Sequence, residues 1–180
     1  MTFSGLKKHH YRAILADPPW PFGKGRLGRE RGYETMSPDE ICNLPVHSLA
    51  HQDCLLYLWI RTRHLSLAMR TIEAWGFEYV TIAFVWIKLD KQKKPFFGIG
   101  YWTRNSAELC LLAKRGKPVR EAANVQQTIL SPIREHSRKP DEQYSRIEAI
   151  SSGPYLELFA RQTRPGWTSW GRELHKFERG

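Results

Sequence analysis

The sequence predicts an α/β fold with a parallel or mixed sheet, and three observations support that class. Nearly continuous apolar runs recur along the chain, as in strands that are covered on both faces. Segments with apolar residues at helical spacing lie between these runs. No repeat, low-complexity linker or shift in composition divides the 180 residues, which is the size of one domain. We therefore expect a single domain over residues 1–180.

The predicted strands are five clear apolar runs and one weaker run. In chain order the clear runs are Tyr11–Ala16, Cys54–Ile60, Tyr79–Ile87, Ala107–Ala113 and Tyr155–Ala160, and the weaker one is Val125–Leu130. Ligands of such sheets gather at the carboxyl ends of the strands. Residues that directly follow these runs are therefore the first candidates for a functional site.

Three helices are predicted between the runs. The first begins at residues Ser37 to Glu40, because a serine N-cap, a proline at the first helical position and a glutamate three residues after the cap occur together. The second covers Thr62–Trp75 and is ended by Gly76. The third covers Pro140–Ser151 and is followed by a Gly-Pro pair.

Composition and charge exclude several classes of protein. Lys and Arg number 28 against 18 Asp and Glu, a net charge of +10, which favours an anionic partner such as nucleic acid over a merely soluble basic protein. No run approaches ~18 consecutive apolar residues, and the N-terminus does not resemble a secretory signal, so no membrane partner is expected. Three dispersed cysteines predict a reducing, intracellular location and no metal site.

The segment Asp17-Pro18-Pro19-Trp20, directly after the first predicted strand, carries the clearest chemistry. Two prolines remove two backbone donors and leave their carbonyls as acceptors. An aminopurine or aminopyrimidine could donate its exocyclic amino hydrogens to the Asp17 carboxylate and to a proline carbonyl, while its ring stacks on Trp20. A structural Pro-Pro turn with a packed tryptophan is the alternative.

Two basic segments flank this region. The first is a glycine-rich loop whose cations we expect to contact phosphates, giving affinity rather than sequence choice: Lys24, Arg26, Arg29 and Arg31. The second covers residues 113–146, with eight basic residues against four acidic ones. A solvated charged surface is the alternative for both segments.

The DPPW segment resembles the DPPW-type N6-adenine methyltransferases, the family of the eukaryotic mRNA N6-methyladenine writer, which also has many bacterial and phage members. Short motifs in the family's order extend this resemblance over about residues 11 to 173. They are Tyr33–Ser37, Leu56–Ile60, Trp102–Glu108, Ser137–Glu142, Glu157–Arg161, Gly166-Trp167 and Trp170-Gly171.

The resemblance implies a Rossmann-like methyltransferase fold with a mostly parallel sheet and helices on both faces. The order is permuted, with the catalytic strand first and the cofactor strand last. The implied cofactor is S-adenosylmethionine. This cofactor has no phosphate, which agrees with the absence of a glycine-rich nucleotide fingerprint, since Thr103 occupies the position of its third glycine.

The resemblance also implies residue roles. Adenine N6 would donate to the Asp17 carboxylate and the Pro18 carbonyl, and Pro19 and Trp20 would hold the ring. The implied cofactor residues are Asp17, Lys139, Glu157, Phe159, Arg161, Arg172 and Glu173. The implied residues on the adenine side are Tyr33, Asn105 and Glu108. The last two cofactor residues replace an Asn-Gln pair of the eukaryotic members, and Thr163 replaces a histidine, so the ribose and adenine contacts are the least defined.

The resulting hypothesis is an S-adenosylmethionine-dependent N6-adenine methyltransferase that acts on nucleic acid, with DNA favoured. The same chemistry on RNA is the first alternative. A catalytically inactive nucleic-acid-binding partner subunit and a small-molecule methyltransferase are the others. We expect a small bacterial or phage enzyme in the cytoplasm of a bacterial or phage-infected cell, and a homodimer as one route to sequence specificity.

Overall fold

The computed structural model describes residues 3–21, 35–100, 102–135 and 137–177. Its strands are β1 (Tyr11–Ala16), β2 (Ala50–Ile60), β3 (Glu78–Leu89), β4 (Ala107–Arg115), β5 (Thr128–Pro132), β6 (Tyr155–Leu158) and β7 (Trp167–Trp170). Its α-helices are α1 (Pro38–Cys42), α2 (Leu65–Ala74) and α3 (Glu142–Ile150), and short 3₁₀ helices cover Val46–Ser48 and Thr62–His64. Within the described residues the strands form one seven-stranded sheet in the order β5-β3-β4-β2-β1-β6-β7.

The sheet is mostly parallel, which confirms the predicted fold class. β1 lies between β2 and β6 and is parallel to both. The pairs β3–β5 and β6–β7 are also parallel, whereas β4 is antiparallel to β2 and β3. Because β1, β2, β6 and β7 run the same way, their carboxyl ends meet at one edge of the sheet. The fold is consistent with a Rossmann-like methyltransferase.

Helices cover both faces of the sheet, as the continuous apolar runs predicted. On one face Ile14 and Ala16 of β1 pack in a cluster with residues of α1 and α2. On the other face Ala13 and Leu15 pack in a cluster with residues of α3. These four side chains of β1 are all buried. None of the described helices has the length and apolar composition of a membrane span.

Local signals explain where the elements begin and end. The predicted capping box is present, because Glu40 N donates to Ser37 Oγ at 3.2 Å and Ser37 N donates to Glu40 Oε2 at 2.7 Å. The sixth strand ends at Leu158 rather than Ala160, since Phe159 adopts a positive φ of 63°. The edge strand β7 is an addition to the predicted strands. The single-domain organisation over residues 1–180 stays a prediction.

Candidate active site

The carboxyl edge of the sheet contains three adjoining cavities. Asp17 directly follows β1, and Arg161 lies three residues beyond the end of β6. Both residues line all three cavities, which have volumes of about 790, 40 and 30 Å³. The sequence predicted a site at this edge, and Asp17 lies at the point where the cavities meet.

A chain of four alternating charges runs through the site. Lys139 Nζ lies 2.6 Å from Asp17 Oδ2 and 3.2 Å from Glu108 Oε2. Lys88 Nζ lies 2.6 Å from the other oxygen of Glu108. The side chains of Lys139 and Glu108 are only 8% and 7% exposed. Such deeply buried charges are tolerated only because each has an opposite charge within hydrogen-bond distance.

The ionisation of this chain follows from its geometry. Burial raises the pKa of Glu108, but the ammonium groups of Lys139 and Lys88 outweigh burial and lower it to about 2. Burial lowers the pKa of Lys139, but the carboxylates of Asp17 and Glu108 outweigh it and raise the pKa. Glu108 is therefore a carboxylate and Lys139 an ammonium ion across the physiological range.

The two prolines form a turn whose carbonyl oxygens accept backbone hydrogen bonds. Trp20 N donates to the Pro18 carbonyl at 2.7 Å, and Met36 N donates to the Pro19 carbonyl at 3.0 Å. A carbonyl oxygen has two lone pairs, so the Pro18 carbonyl keeps capacity for a second donor. The bond from Met36 connects the turn to the segment that precedes α1.

Trp20 differs from the sequence-based expectation of an open stacking face. The residue is 7% exposed and lies in the core cluster. Its indole Nε1 donates to the carbonyl of Trp59 at 2.9 Å, and Trp59 Nε1 donates to Gln143 Oε1 at 2.6 Å. The indole turns inward because its N–H requires an acceptor when buried. The ring borders the 30 Å³ cavity, and a stacking role for it stays a prediction.

The 790 Å³ cleft brings together most of the predicted cofactor residues. They are Asp17, Phe159, Arg161, Arg172 and Glu173, which line it together with Trp170 and residues that begin α1. Arg161 Nε lies 3.5 Å from Glu173 Oε2. A Cβ on Gly171 would overlap backbone atoms of Ala160, so only glycine lets the segment after β7 lie this close to the chain after β6.

The remaining two predicted cofactor residues, Lys139 and Glu157, line the 40 Å³ cavity next to Asp17. Tyr144 OH donates to both oxygens of Glu157, at 3.1 and 3.0 Å. Burial raises the pKa of Glu157 to about 7, the negative charge of Asp17 adds to this, and the Tyr144 hydrogen bond acts in the opposite direction. Glu157 can therefore exist as carboxyl or carboxylate near neutral pH.

The predicted adenine-side residues separate in the structure. Glu108 lines the 30 Å³ cavity with Asp17. Asn105 lines none of the three cavities, and its Oδ1 accepts a bond from Ala107 N at 3.3 Å. The other predicted substrate residues lie outside the described residues; they are Tyr33, Lys24, Arg26, Arg29 and Arg31.

Sequence reasoning missed Lys88, Trp59 and Gln143, which support the site from neighbouring elements. Lys88 could have been found from the β3–β4 pairing, because Trp86 lies opposite Glu108 and Lys88 is two residues along the same strand face. The three cysteines are free and buried. Among the described residues no cluster with metal-binding composition occurs.

Comparisons with known proteins identify the family of this chain. The family model MT-A70 matches residues 11–173, and the chain belongs to the MT-A70 family. The type II methyltransferase M.MunI of Mycoplasma is 31% identical over 96% of this chain and 82% of its own length. An MT-A70-like N(6)-adenosine-methyltransferase of Arabidopsis thaliana is 34% identical, and the human N(6)-adenosine-methyltransferase catalytic subunit METTL3 is 30% identical. The chain spans about a quarter of those two relatives, 24% and 28% of their lengths.

Proposed function

We propose that this chain is an S-adenosylmethionine-dependent N6-adenine methyltransferase that acts on nucleic acid, with DNA as the favoured substrate. Membership of the MT-A70 family and the names of the relatives support the reaction. DNA is favoured because the chain covers most of the type II methyltransferase but only about a quarter of METTL3. The similarity to METTL3 supports RNA as the second candidate substrate.

One observation carries the proposal, namely the position of Asp17 where all three cavities meet. Lys139 fixes one carboxylate oxygen at 2.6 Å, and a charge-assisted hydrogen bond of this kind orients the group strongly. The Pro18 carbonyl lies next in the chain with a lone pair to spare. Two acceptors on adjacent residues match the two hydrogens of an exocyclic amino group.

The residues of the 790 Å³ cleft fit S-adenosylmethionine, whose charges are a sulfonium, an amino and a carboxylate group. Carboxylates of Asp17 and Glu173 suit the positive groups, and Arg161 and Arg172 suit the carboxylate. Phe159 offers an aromatic ring beside them. When bound, this cofactor supplies an electrophilic methyl group. The volume lies within the range of ordinary small-molecule sites, ~300–1,000 Å³.

The chain's own residues would raise the reactivity of the amino nitrogen by binding and orientation. The lone pair of adenine N6 is delocalised into the ring, and this makes the nitrogen a weak nucleophile. Hydrogen bonds from N6 to Asp17 and to the Pro18 carbonyl favour a pyramidal nitrogen with a localised lone pair. Alignment of a reactant in this way can account for ~7–11 kcal/mol of a barrier. The base must be flipped out of a duplex or already unpaired to reach this edge.

A methyl-transfer assay tests the proposal. Matched single- and double-stranded DNA and RNA oligonucleotides are incubated with labelled S-adenosylmethionine, and the product nucleosides are identified by mass spectrometry. We expect N6-methyladenine, formed fastest in DNA. Faster transfer to RNA would replace DNA by the second candidate, and a methyl group on another base or on none would refute the proposal.

Asp17→Asn tests the mechanism with little change in shape. We expect its rate to fall by at least ~100-fold, as when a single group that stabilises a transition state is removed. Asp53→Asn is the matched control, because Asp53 lies near the amino end of β2, at the opposite edge of the sheet, and accepts a bond from Lys117 N. Wild-type rates for Asp17→Asn would refute the mechanism.

The expected cellular setting follows from the type II methyltransferase, of whose length the chain covers 82%. The type II methyltransferase comes from Mycoplasma, which supports action in the cytoplasm of a bacterial or phage-infected cell. A homodimer stays a prediction, and sedimentation of the purified chain tests it.

A further inference from the structure

The connection between β3 and β4 exposes large apolar side chains. We call residues 90–106 the β3–β4 arm. Within it Phe97 is 77% exposed, Ile99 is 82% exposed and Trp102 is 91% exposed. Single exposed apolar residues are common on protein surfaces, but several large ones on one short segment indicate a binding surface.

The described part of the arm has a defined backbone that directs these side chains outward. At its start the carboxylate of Asp90 accepts bonds from Gln92 N and Lys94 N, both at 2.9 Å. At its end a Cβ on Gly98 would overlap the Asn105 carbonyl, and one on Gly100 would overlap the Thr103 carbonyl. Gly98 and Gly100 therefore pack backbone against backbone with Asn105 and Thr103. This leaves the larger side chains of the arm on the outside.

The charges of the arm complement a polyanion. Its cations are Lys91, Lys93, Lys94 and Arg104, and its one acid, Asp90, is occupied by the backbone of its own turn. The Arg104 guanidinium lies 5.0 Å from the centre of the Phe97 ring. Aromatic rings interleaved with cations are the composition that binds single-stranded nucleic acid, whose bases stack on the rings while phosphates contact the cations.

The arm also adjoins the candidate active site. Lys88, at the end of β3, contacts Glu108, at the start of β4, and Glu108 contacts Lys139 beside Asp17. Leu109 of β4 pairs with Ile60 of β2, so the arm leaves the sheet at the same edge at which the cavities open. The base of the arm therefore lies beside the candidate active site, on the side of the sheet where a base bound at Asp17 would enter.

We propose that the β3–β4 arm is a stacking surface for unpaired nucleotides that flank the target adenine, with Phe97 and Trp102 as the stacking rings. This inference rests on the proposed function and specifies its substrate as nucleic acid that is single-stranded around the target base. A second copy of this chain is the competing occupant, and the experiment distinguishes the two.

Fluorescence anisotropy with a short labelled single-stranded DNA, in the absence of cofactor, measures the surface directly. We expect Phe97→Ala and Trp102→Ala each to weaken binding by about 10-fold, the range for loss of one base–aromatic stack. Val119→Ala is the matched control, since Val119 is also an exposed apolar residue but lies outside the arm. Circular dichroism and urea unfolding establish that each variant is folded.

The salt dependence separates the rings from the cations. Removing two phosphate contacts by Lys91→Ala with Lys94→Ala should reduce the slope of log K against log salt by about 1.4 for a single strand, whereas Trp102→Ala should leave the slope unchanged. Lys7→Ala with Lys8→Ala is the control, because these exposed lysines precede β1 at the opposite edge of the sheet. Equal slopes for both double variants would overturn the proposal.

Two further outcomes would also overturn it. One is wild-type affinity in both ring variants. The other is sedimentation that shows a wild-type dimer converted to a monomer by Trp102→Ala with unchanged DNA affinity, which would assign the arm to a second copy. The proposed function is tested separately in the wild-type chain: if that chain methylates oligonucleotides while the ring variants bind normally, only the arm proposal fails. If the wild-type chain neither methylates nor binds any of the oligonucleotides, the proposed function fails as well.

Discussion

Glu108 makes a contribution to stability that can be worked from the structure. Its buried carboxylate contacts Lys139 and Lys88. Burial raises the pKa of this carboxyl, but the two ammonium groups outweigh burial and lower it from 4.5 to about 2. Each pKa unit corresponds to about 1.4 kcal/mol. We therefore expect Glu108→Gln to lower the free energy of unfolding by about 3 kcal/mol at neutral pH.

The pH dependence of this effect has a definite sign. A carboxyl whose pKa is lower in the folded than in the unfolded protein stabilises the fold above the unfolded pKa. The stabilisation is lost as pH falls through the folded pKa. For Glu108 it is complete above about pH 4.5 and declines toward about pH 2. Glutamine does not titrate, so the difference between wild type and Glu108→Gln shrinks over this range.

Urea unfolding, followed by tryptophan fluorescence at a series of pH values, measures this difference. Glu78→Gln is the matched control, because Glu78 pairs with Lys114 at 3.6 Å across the same two strands but is largely exposed. An exposed pair contributes at most about 1 kcal/mol. Equal effects of Glu108→Gln and Glu78→Gln, or a Glu108→Gln effect that persists unchanged at acidic pH, would refute the reasoning.

Two other predictions concern the cofactor side of the site. The pKa of Glu157 is raised from 4.5 to about 7 by burial, so the contribution of this residue to stability should fall by about 3 kcal/mol as pH rises across that range. Urea unfolding of wild type and Glu157→Gln measures this contribution as the difference between the two proteins, and a difference that does not change with pH would contradict the prediction. Gly171→Ala places a methyl group against Ala160 and should weaken S-adenosylmethionine binding by about 10-fold in calorimetric titration; wild-type affinity would contradict it.

The central strands could be predicted because their residues are apolar on both faces. β1 has the predicted bounds, Tyr11–Ala16. β2 begins four residues earlier than predicted, at Ala50. The apolar pattern did not include this part of the strand because residues 51–53 are polar. The edge strand β7 was missed because it has four residues, two of them Thr168 and Ser169. Edge strands are paired on one side only, so their sequences carry a weaker signal.

The candidate site divides in a similar way. Asp17 and Lys139, which line the same cavities, could be predicted as candidates for one site, because they follow a strand and precede a helix within short motifs. Their mutual contact at 2.6 Å could not, since 122 positions separate them in the chain. The inward orientation of Trp20 depends on an acceptor contributed by Trp59, a residue of β2. Sequence patterns thus identify residue types near a site, whereas tertiary packing determines which of these residues contact each other.

The two bonds from Trp20 to Trp59 and from Trp59 to Gln143 cross the sheet from one covered face to the other. Gln143 belongs to α3, the helix that Lys139 precedes, and Lys139 Nζ lies 5.7 Å from the centre of the Trp59 ring. Trp59 of β2 therefore contacts both Trp20 of the Pro-Pro turn and the lysine that holds Asp17. A shift of this one residue would change the surroundings of the turn and of the lysine together.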